Sequence, residues 1–239
     1  MYYFQDPTIT TCNFVLILAA VLPAVFLMVK VYRSDRLEKE STSLLWRLVV
    51  AGVLSSLLAL VEERILVAVL NAVVTENYGL YVFLLYFVIV AYAEESSKYL
   101  FLKNRTWNSP EFNCQYDGVV YAVFVSLGFA LWENISYVMA YGFDTAIVRA
   151  VTAIPGHACF GVFMGVFYGM AKRAERFGQE QEARILRVLS LVLSALLHGA
   201  YDYIATTQTG NGWFLLFIAA LFAVSYILVG RMSRQDQYI

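Results

Sequence analysis

Long apolar runs alternate with short polar segments along the chain. Seven runs reach the length of about 20 residues that a helix needs to cross a lipid bilayer. They lie at about 12–32, 44–62, 78–102, 118–141, 147–170, 185–206 and 213–230. This pattern predicts an all-α protein, a polytopic transmembrane helix bundle of about seven spans.

Another apolar stretch, residues 64–75, is too short to cross a bilayer alone. We expect it to extend the second span or to lie as an interfacial or re-entrant helix. If it crossed separately, the bundle would have eight spans and one terminus would change sides. Glu62, Glu63 and Arg64 stand where the second run ends, and we interpret them as a solvated helix terminus.

Positive charges predict the orientation of the bundle, because cytoplasmic loops carry an excess of Lys and Arg. With the N-terminus outside, 14 of the 17 basic residues fall on the cytoplasmic side. Arg64 and Arg149 fall outside, and Lys98 lies within a span. We therefore expect the N-terminus out and the C-terminus in.

The amino-acid composition is typical of a membrane protein and argues against some classes of function. Hydrophobic residues make up 60% of the chain and charged residues 15%, whereas soluble domains carry about 25% charged residues. The net charge of −1 argues against nucleic acid as a partner. Cys12, Cys114 and Cys159 lack metal or disulfide spacing, so we expect each to pack as a small apolar residue. No basic segment precedes the first run, which argues against a cleaved signal peptide. We expect residues 1–239 to form one membrane domain.

Ionisable and amide side chains inside the spans are the most informative feature. A charge at the centre of a membrane helix costs about 2.5–3.5 kcal/mol, so these groups must pair or line a watery cavity. They occur on four successive runs and comprise Glu94, Glu95, Lys98, Glu133, Asn134, His157, His198 and Asp202.

Helical spacing predicts that these side chains converge. Glu94 and Lys98 share one helix face, as do His198 and Asp202, because residues four apart are neighbours. Pro155 and Gly156 come directly before His157, and a helix broken at membrane depth is tolerated where it lines a cavity. By the span limits, Glu94 lies toward the inside, whereas Glu133 and Asp202 lie toward the outside, so a limit is displaced by a turn or a helix is bent.

Two kinds of hydrolytic chemistry suit this set. A glutamate of the pair could act as general base on water, with histidines as donors to an oxyanion. Alternatively, His157 and His198 with Glu94 or Asp202 make a zinc-type ligand set with an open water position. Acid and histidine chains also form proton relays, so a proton-coupled transporter or channel is the rival class. Against it, the sequence has no inverted repeat. A third class is an inactive protein that binds membrane proteins.

The motifs together resemble the PrsW family of intramembrane proteases, which is related to CAAX-type prenyl-protein endopeptidases and bacteriocin-processing enzymes. EESSK (94–98), FALWEN (129–134), the histidine after Pro-Gly and HGAYD (198–202) follow the family's order over about residues 80–205. The family pattern matches Phe129, Glu133 and Asn134, and its histidines match His157 and His198.

The resemblance implies an intramembrane endopeptidase in a prokaryotic cell membrane, either metal-dependent or driven by glutamate alone. Glu94 would be the base, with Glu95 the close alternative, and Lys98 would tune the pair. Asp202, Glu133 and Asn134 would be ligands or would orient them. The expected partners are the lipid bilayer and a membrane-protein substrate, such as an anti-sigma factor cut at its extracytoplasmic side at the first step of a regulated cascade.

Overall fold

The computed structural model describes residues 7–207 and 211–239. Within these ranges the long apolar runs of the sequence are helical. Short loops join the helices. In chain order these are α1 (Pro7–Ser34), α2 (Thr42–Val73), α3 (Tyr78–Phe83), a π-helical segment (Leu84–Val90), α4 (Ala91–Thr106), α5 (Asp117–Tyr141), α6 (Phe143–Val151), α7 (Ala153–Arg176), α8 (Glu180–Thr207) and α9 (Asn211–Arg234).

Seven stretches of these helices are long and apolar enough to span a membrane, which confirms the predicted fold class. The segment from α3 through α4 forms one of them, and α6 with α7 forms another. α2 is a continuous helix of 32 residues, so residues 64–75 extend the second span for the most part. The interpretation of Glu62, Glu63 and Arg64 as a solvated helix terminus was wrong, because α2 continues for nine residues beyond Arg64.

α5 lies at the centre of the bundle and packs against α1, α2, α4, α6 and α7. Small residues permit this close packing, as in many membrane helix pairs. A Cβ atom added to Gly118 would lie 2.6 Å from the backbone nitrogen of Gly169 in α7. A Cβ atom on Gly52 of α2 would likewise lie 2.7 Å from the backbone nitrogen of Phe129. α2 and α7 therefore hold α5 by backbone contact on two sides.

Two irregular points interrupt the regular α-helix of the spans near the functional residues. The fifth predicted span is divided into α6 and α7 by a break at Thr152, which lies about one turn before the Pro-Gly pair that suggested a break. Pro155 then falls in the first turn of α7, where its missing N–H leaves no helical bond unmade. Before α4, the π-helical segment adds a residue to the helical repeat, and such segments are frequent at functional sites.

The end of the bundle opposite the functional residues is closed by aromatic side chains and by the C-terminal tail. Phe112, Tyr121 and Tyr168 are fully buried there and stack edge to face or in parallel. The tail pairs with the segment before α5 through a bridge between Cys114 and Tyr238. Cys114 and Cys159 are free and buried, as expected, while the side chain of Cys12 lies outside the described residues.

Candidate active site

Four helices bring the ionisable motif residues to one cavity. The cavity has a volume of about 410 Å³, far more than the ~30 Å³ that one water molecule occupies. Its lining includes Glu94 of α4, Glu133 of α5, His157 of α7, and His198 and Asp202 of α8. The π-helical segment ends one turn before Glu94 and makes this span irregular next to the cavity.

Lys98 lies among these residues, in the interior of the protein, and is fully buried. Its ammonium is 3.1 Å from Glu94 Oε2, 2.7 Å from Glu95 Oε1 and 3.1 Å from His157 Nδ1. It also lies 3.9 Å from the centre of the Phe129 ring, which gives the phenylalanine of the FALWEN motif a cation–π contact. Lys98 thus offsets the charge of both glutamates at once.

Each histidine forms a hydrogen bond from one ring nitrogen to a carboxylate. Lys98 can only donate, so His157 Nδ1 accepts from it and the Nε2–H of His157 donates to Glu133 Oε2 over 2.8 Å. His198 Nδ1–H donates to Glu95 Oε1 over 2.9 Å. His198 Nε2 then faces Asp202 at 3.4 Å and Glu94 at 3.9 Å. Carboxylates fix the orientation of both rings.

The two adjacent glutamates have different surroundings. Glu95 is fully buried, and both its oxygens are bonded, because Oε1 accepts from Lys98 and His198 while Oε2 accepts from Ser194 over 2.6 Å. Glu94 lines the cavity, and its contacts to Lys98 and His198 both involve Oε2. Glu94 is therefore the member of the pair that a molecule in the cavity can reach.

Asn134 lies beside the cavity and connects helices. It is fully buried, donates to Ala20 O of α1 over 3.2 Å, and accepts from Arg149 Nε over 2.9 Å. Arg149 also forms a 2.9 Å ion pair with Glu133. The amide is therefore linked through Arg149 to the carboxylate that contacts His157.

Three residues of the site had no role in the sequence analysis. Glu63 lines the cavity from α2, Arg149 pairs with Glu133, and Ser194 donates to Glu95. Glu63 and Arg149 were seen as charges but were placed at a helix end and on the outer side. Ser194 had no signal, because a lone serine in an apolar helix most often bonds to its own backbone.

The donor set fits a divalent cation. One atom each from Glu94, Glu95, His157 and His198 lies within 4.8 Å of the others. Metal-binding histidines usually donate their second ring N–H to a carboxylate or carbonyl, as both histidines do here. Glu95 replaces Asp202 of the expected set in this group. Lys98 contacts three of the four residues, so its ammonium competes with a metal for the same atoms.

Comparison with known proteins identifies the family. The model of the "PrsW family intramembrane metalloprotease" matches residues 40–229. The chain belongs to the PrsW family. "Protease PrsW" of Bacillus subtilis is 32% identical over 203 residues, which cover 85% of this chain and 88% of that relative. "Protease PrsW" of Geobacillus kaustophilus is 34% identical over 211 residues, covering 87% and 88%. No solved structure matches the chain.

Membership of the PrsW family establishes the class of protein. The chain is a multi-pass integral membrane protein of bacterial origin and an intramembrane protease. A protease of this kind acts on a membrane-protein substrate in the bilayer. The transporter and the inactive binder are not supported by these relatives, all of which are proteases by name.

Proposed function

We propose that this PrsW-family protease hydrolyses its substrate with a water molecule activated by Glu94. The observation that carries this proposal is the difference between the two glutamates. Glu94 lines the cavity, whereas Glu95 is held from three sides by Lys98, His198 and Ser194. Glu94 would take a proton from water and return it to the leaving amine, as a general base and then a general acid.

The other motif residues would support this proton transfer. Lys98 would stabilise the negative charge that remains on Glu95 and limit movement of Glu94 through its 3.1 Å contact. Glu95 and Glu133 would keep His198 and His157 in the orientations described above. Asp202 would act on His198 Nε2, the ring nitrogen that points to the cavity.

A divalent metal such as zinc would be held by His157 Nδ1, His198 Nε2 and one oxygen of Glu94, which would then act on water through its other oxygen. Two histidines and one carboxylate are a common protein ligand set for catalytic zinc. The bound metal would supply Lewis acidity to the scissile carbonyl and to water. The charge of the site favours a cation, because five carboxylates face two fixed positive charges. The acids are Glu63, Glu94, Glu95, Glu133 and Asp202, and the cations are Lys98 and Arg149.

A glutamate mechanism without metal is the second candidate, and the Lys98 contacts favour it. The ammonium already offsets part of the charge that a metal would neutralise. In this mechanism His198, protonated at both ring nitrogens, would donate from Nε2 to the oxyanion of the reacting peptide, while Glu94 keeps the same role. The two mechanisms differ in whether a metal must displace Lys98.

We also propose that cleavage occurs toward the extracytoplasmic side. The cavity is lined by the C-terminal halves of α5 and α8 and by the N-terminal end of α7. The distribution of positive charges predicts that these ends lie outside. Tyr137 and Trp132, both on the cavity lining, are 41% and 40% exposed and mark its mouth. An anti-sigma factor or a similar single-span protein cut at its outer side would reach such a site.

The test is a comparison of new protein termini in the source bacterium. Cells lacking their own copy of the gene would carry the wild type, Glu94→Gln, Glu95→Gln or Glu76→Gln. Terminal-peptide mass spectrometry of the membrane fraction would then report cleavage. We expect new termini near one span of a membrane protein with the wild type and with the exposed control Glu76→Gln.

The two site variants should differ from each other. Glu94→Gln removes the base and should abolish the new termini. Glu95→Gln should leave a residual rate, because its amide can still hold His198. Unchanged termini with Glu94→Gln, at equal expression, would show that Glu94 is not the base.

A further inference from the structure

A second cavity lies outside the active site, between the C-terminal parts of α1 and α9. Its volume is about 910 Å³. Pro155, Ala158 and Val162 of α7 line its apolar inner wall. Because the cavity lies between helices at the edge of the bundle, we refer to it as the α1–α9 groove.

The length of the α1–α9 groove matches one leaflet of a bilayer. On α9 the lining runs from Phe222 to Arg234. At 1.5 Å per residue this is about 18 Å. Half of the hydrocarbon core of a bilayer is about 15 Å thick. The groove therefore reaches from about the middle of the membrane to one surface.

Basic side chains gather at the surface end of the groove. They are Lys30, Arg33, Arg36, Arg231 and Arg234. All five are exposed, and no ion pair joins any of them to a carboxylate in the described ranges 7–207 and 211–239. The rest of the lining is mainly apolar or small. An occupant must therefore be apolar along most of its length and anionic at one end.

We propose that the α1–α9 groove binds an anionic phospholipid. An acyl chain would lie against the α7 wall, and the headgroup phosphate would contact the arginines at the end of the groove. Arginine donates paired hydrogen bonds to phosphate oxygens, and basic pockets between membrane helices bind anionic headgroups. The basic end lies on the side that the charge distribution predicts to be cytoplasmic, where anionic lipid would come from the inner leaflet.

Lipid retention in nanodiscs tests this proposal. The purified protein would be placed in nanodiscs of equal phosphatidylcholine and phosphatidylglycerol, released, and weighed with its bound lipid by native mass spectrometry. We expect the wild type to retain one lipid molecule, and the protein that carries phosphatidylglycerol should be at least ten times as abundant as the protein that carries phosphatidylcholine. The groove variant changes Arg33, Arg36, Arg231 and Arg234 to Gln and should lose this preference.

A matched variant separates the groove from general surface charge. It changes four exposed basic residues outside the groove to Gln, namely Arg47, Lys103, Arg105 and Arg176. Its net charge equals that of the groove variant, yet we expect it to keep the wild-type preference. Equal loss in both variants, or retention in the groove variant, would overturn the proposal. Loss of the bound lipid on addition of millimolar inorganic phosphate would also overturn the proposal, because a lipid is held by its acyl chain as well as by its phosphate.

A second variant blocks the groove without altering charge, in case the fourfold variant does not fold. Gly230 lines the groove, and a Cβ atom added there would meet nothing within 4 Å. Gly230→Leu should therefore fold and reduce lipid retention at least tenfold. Gly212→Leu, at the other end of α9 and equally open, should retain lipid as the wild type does. Full retention by Gly230→Leu would refute the groove as the site.

Discussion

Replacement of Lys98 by methionine removes the positive charge that lies among the candidate metal ligands. In the wild type the ammonium bonds to Glu94 and Glu95 and accounts for one contact of His157. Methionine keeps much of the length of the side chain but leaves the two carboxylates without this partner. Breaking a buried ion pair by removing one partner costs about 3–5 kcal/mol. Without metal, we therefore expect Lys98→Met to be less stable than the wild type by about that amount.

The same change should strengthen metal binding. Two unit charges about 4 Å apart interact by about 4 kcal/mol at an effective dielectric constant of 20, and a divalent cation doubles this value. In the wild type the flexible lysine can swing away and relieve part of this repulsion. We therefore expect a smaller gain, of at least a hundredfold in zinc affinity, which corresponds to about 2.8 kcal/mol.

Zinc titration of purified, chelator-treated protein measures the affinity, and thermal unfolding with and without zinc measures the stability. The matched control is Lys172→Met. Lys172 is also buried, but it donates to Trp107 O over 2.7 Å and lies near Glu175, away from the cavity. Both variants should lose stability, whereas zinc should restore it in Lys98→Met alone.

Two results would refute this reasoning. If Lys98→Met bound zinc no more tightly than the wild type, the ammonium would not compete with a metal. If zinc bound neither protein, the site would act through glutamate without metal. In that case the loss of stability in Lys98→Met would remain, because it follows from the carboxylates alone.

Two further substitutions test the surroundings of the site, and a third tests a buried acid at the opposite end of the bundle. Arg149→Gln frees Glu133 and should lower the cleavage rate of the identified substrate about 10- to 100-fold, with partial rescue by Arg149→Lys; an unchanged rate would exclude a positioning role. Gly199→Ala places a Cβ atom 2.7 Å from the Phe87 ring, so we expect a loss of about 1–3 kcal/mol in thermal unfolding and slower cleavage, whereas wild-type behaviour would mean that the π-helical segment yields. Burial raises the pKa of Glu40, which precedes α2, from about 4.5 to about 7. The folded state therefore binds this proton more tightly than the unfolded state, and stability falls by up to about 3 kcal/mol as the pH rises from 4.5 past 7. Glu40→Gln removes this loss, so its melting temperature should exceed that of the wild type by more at pH 8 than at pH 5, and a constant difference would contradict the assignment.

Much of the fold and of the site could be predicted from the sequence because charge inside a membrane is expensive. Apolar runs of sufficient length indicated the seven spans, and the helical spacing of Glu94 with Lys98 and of His198 with Asp202 indicated shared faces. Both pairs do make contact in the structure. The orientation of the bundle stays a prediction, because it rests on the distribution of basic residues alone.

The errors and omissions share a physical cause, which is that they depend on where a helix ends or bends. Glu63 was interpreted as solvated because the second run becomes polar there, yet α2 continues and carries it into the cavity. Arg149 was given no part in the site, because the break at Thr152 that places it beside Glu133 could not be located from hydropathy. The π-helical segment consists of seven apolar residues, LLYFVIV, whose pattern is the same for a regular helix.

α7 connects the active site with the α1–α9 groove. His157 and Phe160 face the cavity, while Pro155, Ala158 and Cys159 line the groove from the opposite face of the same two turns. These turns follow directly on the break at Thr152. The segment that carries His157 is therefore held on one side by the contact of the His157 ring with Glu133, and on the other it would contact a lipid bound in the groove. An occupied groove would restrict movement of this segment, so the lipid site and the orientation of His157 share one mechanical element.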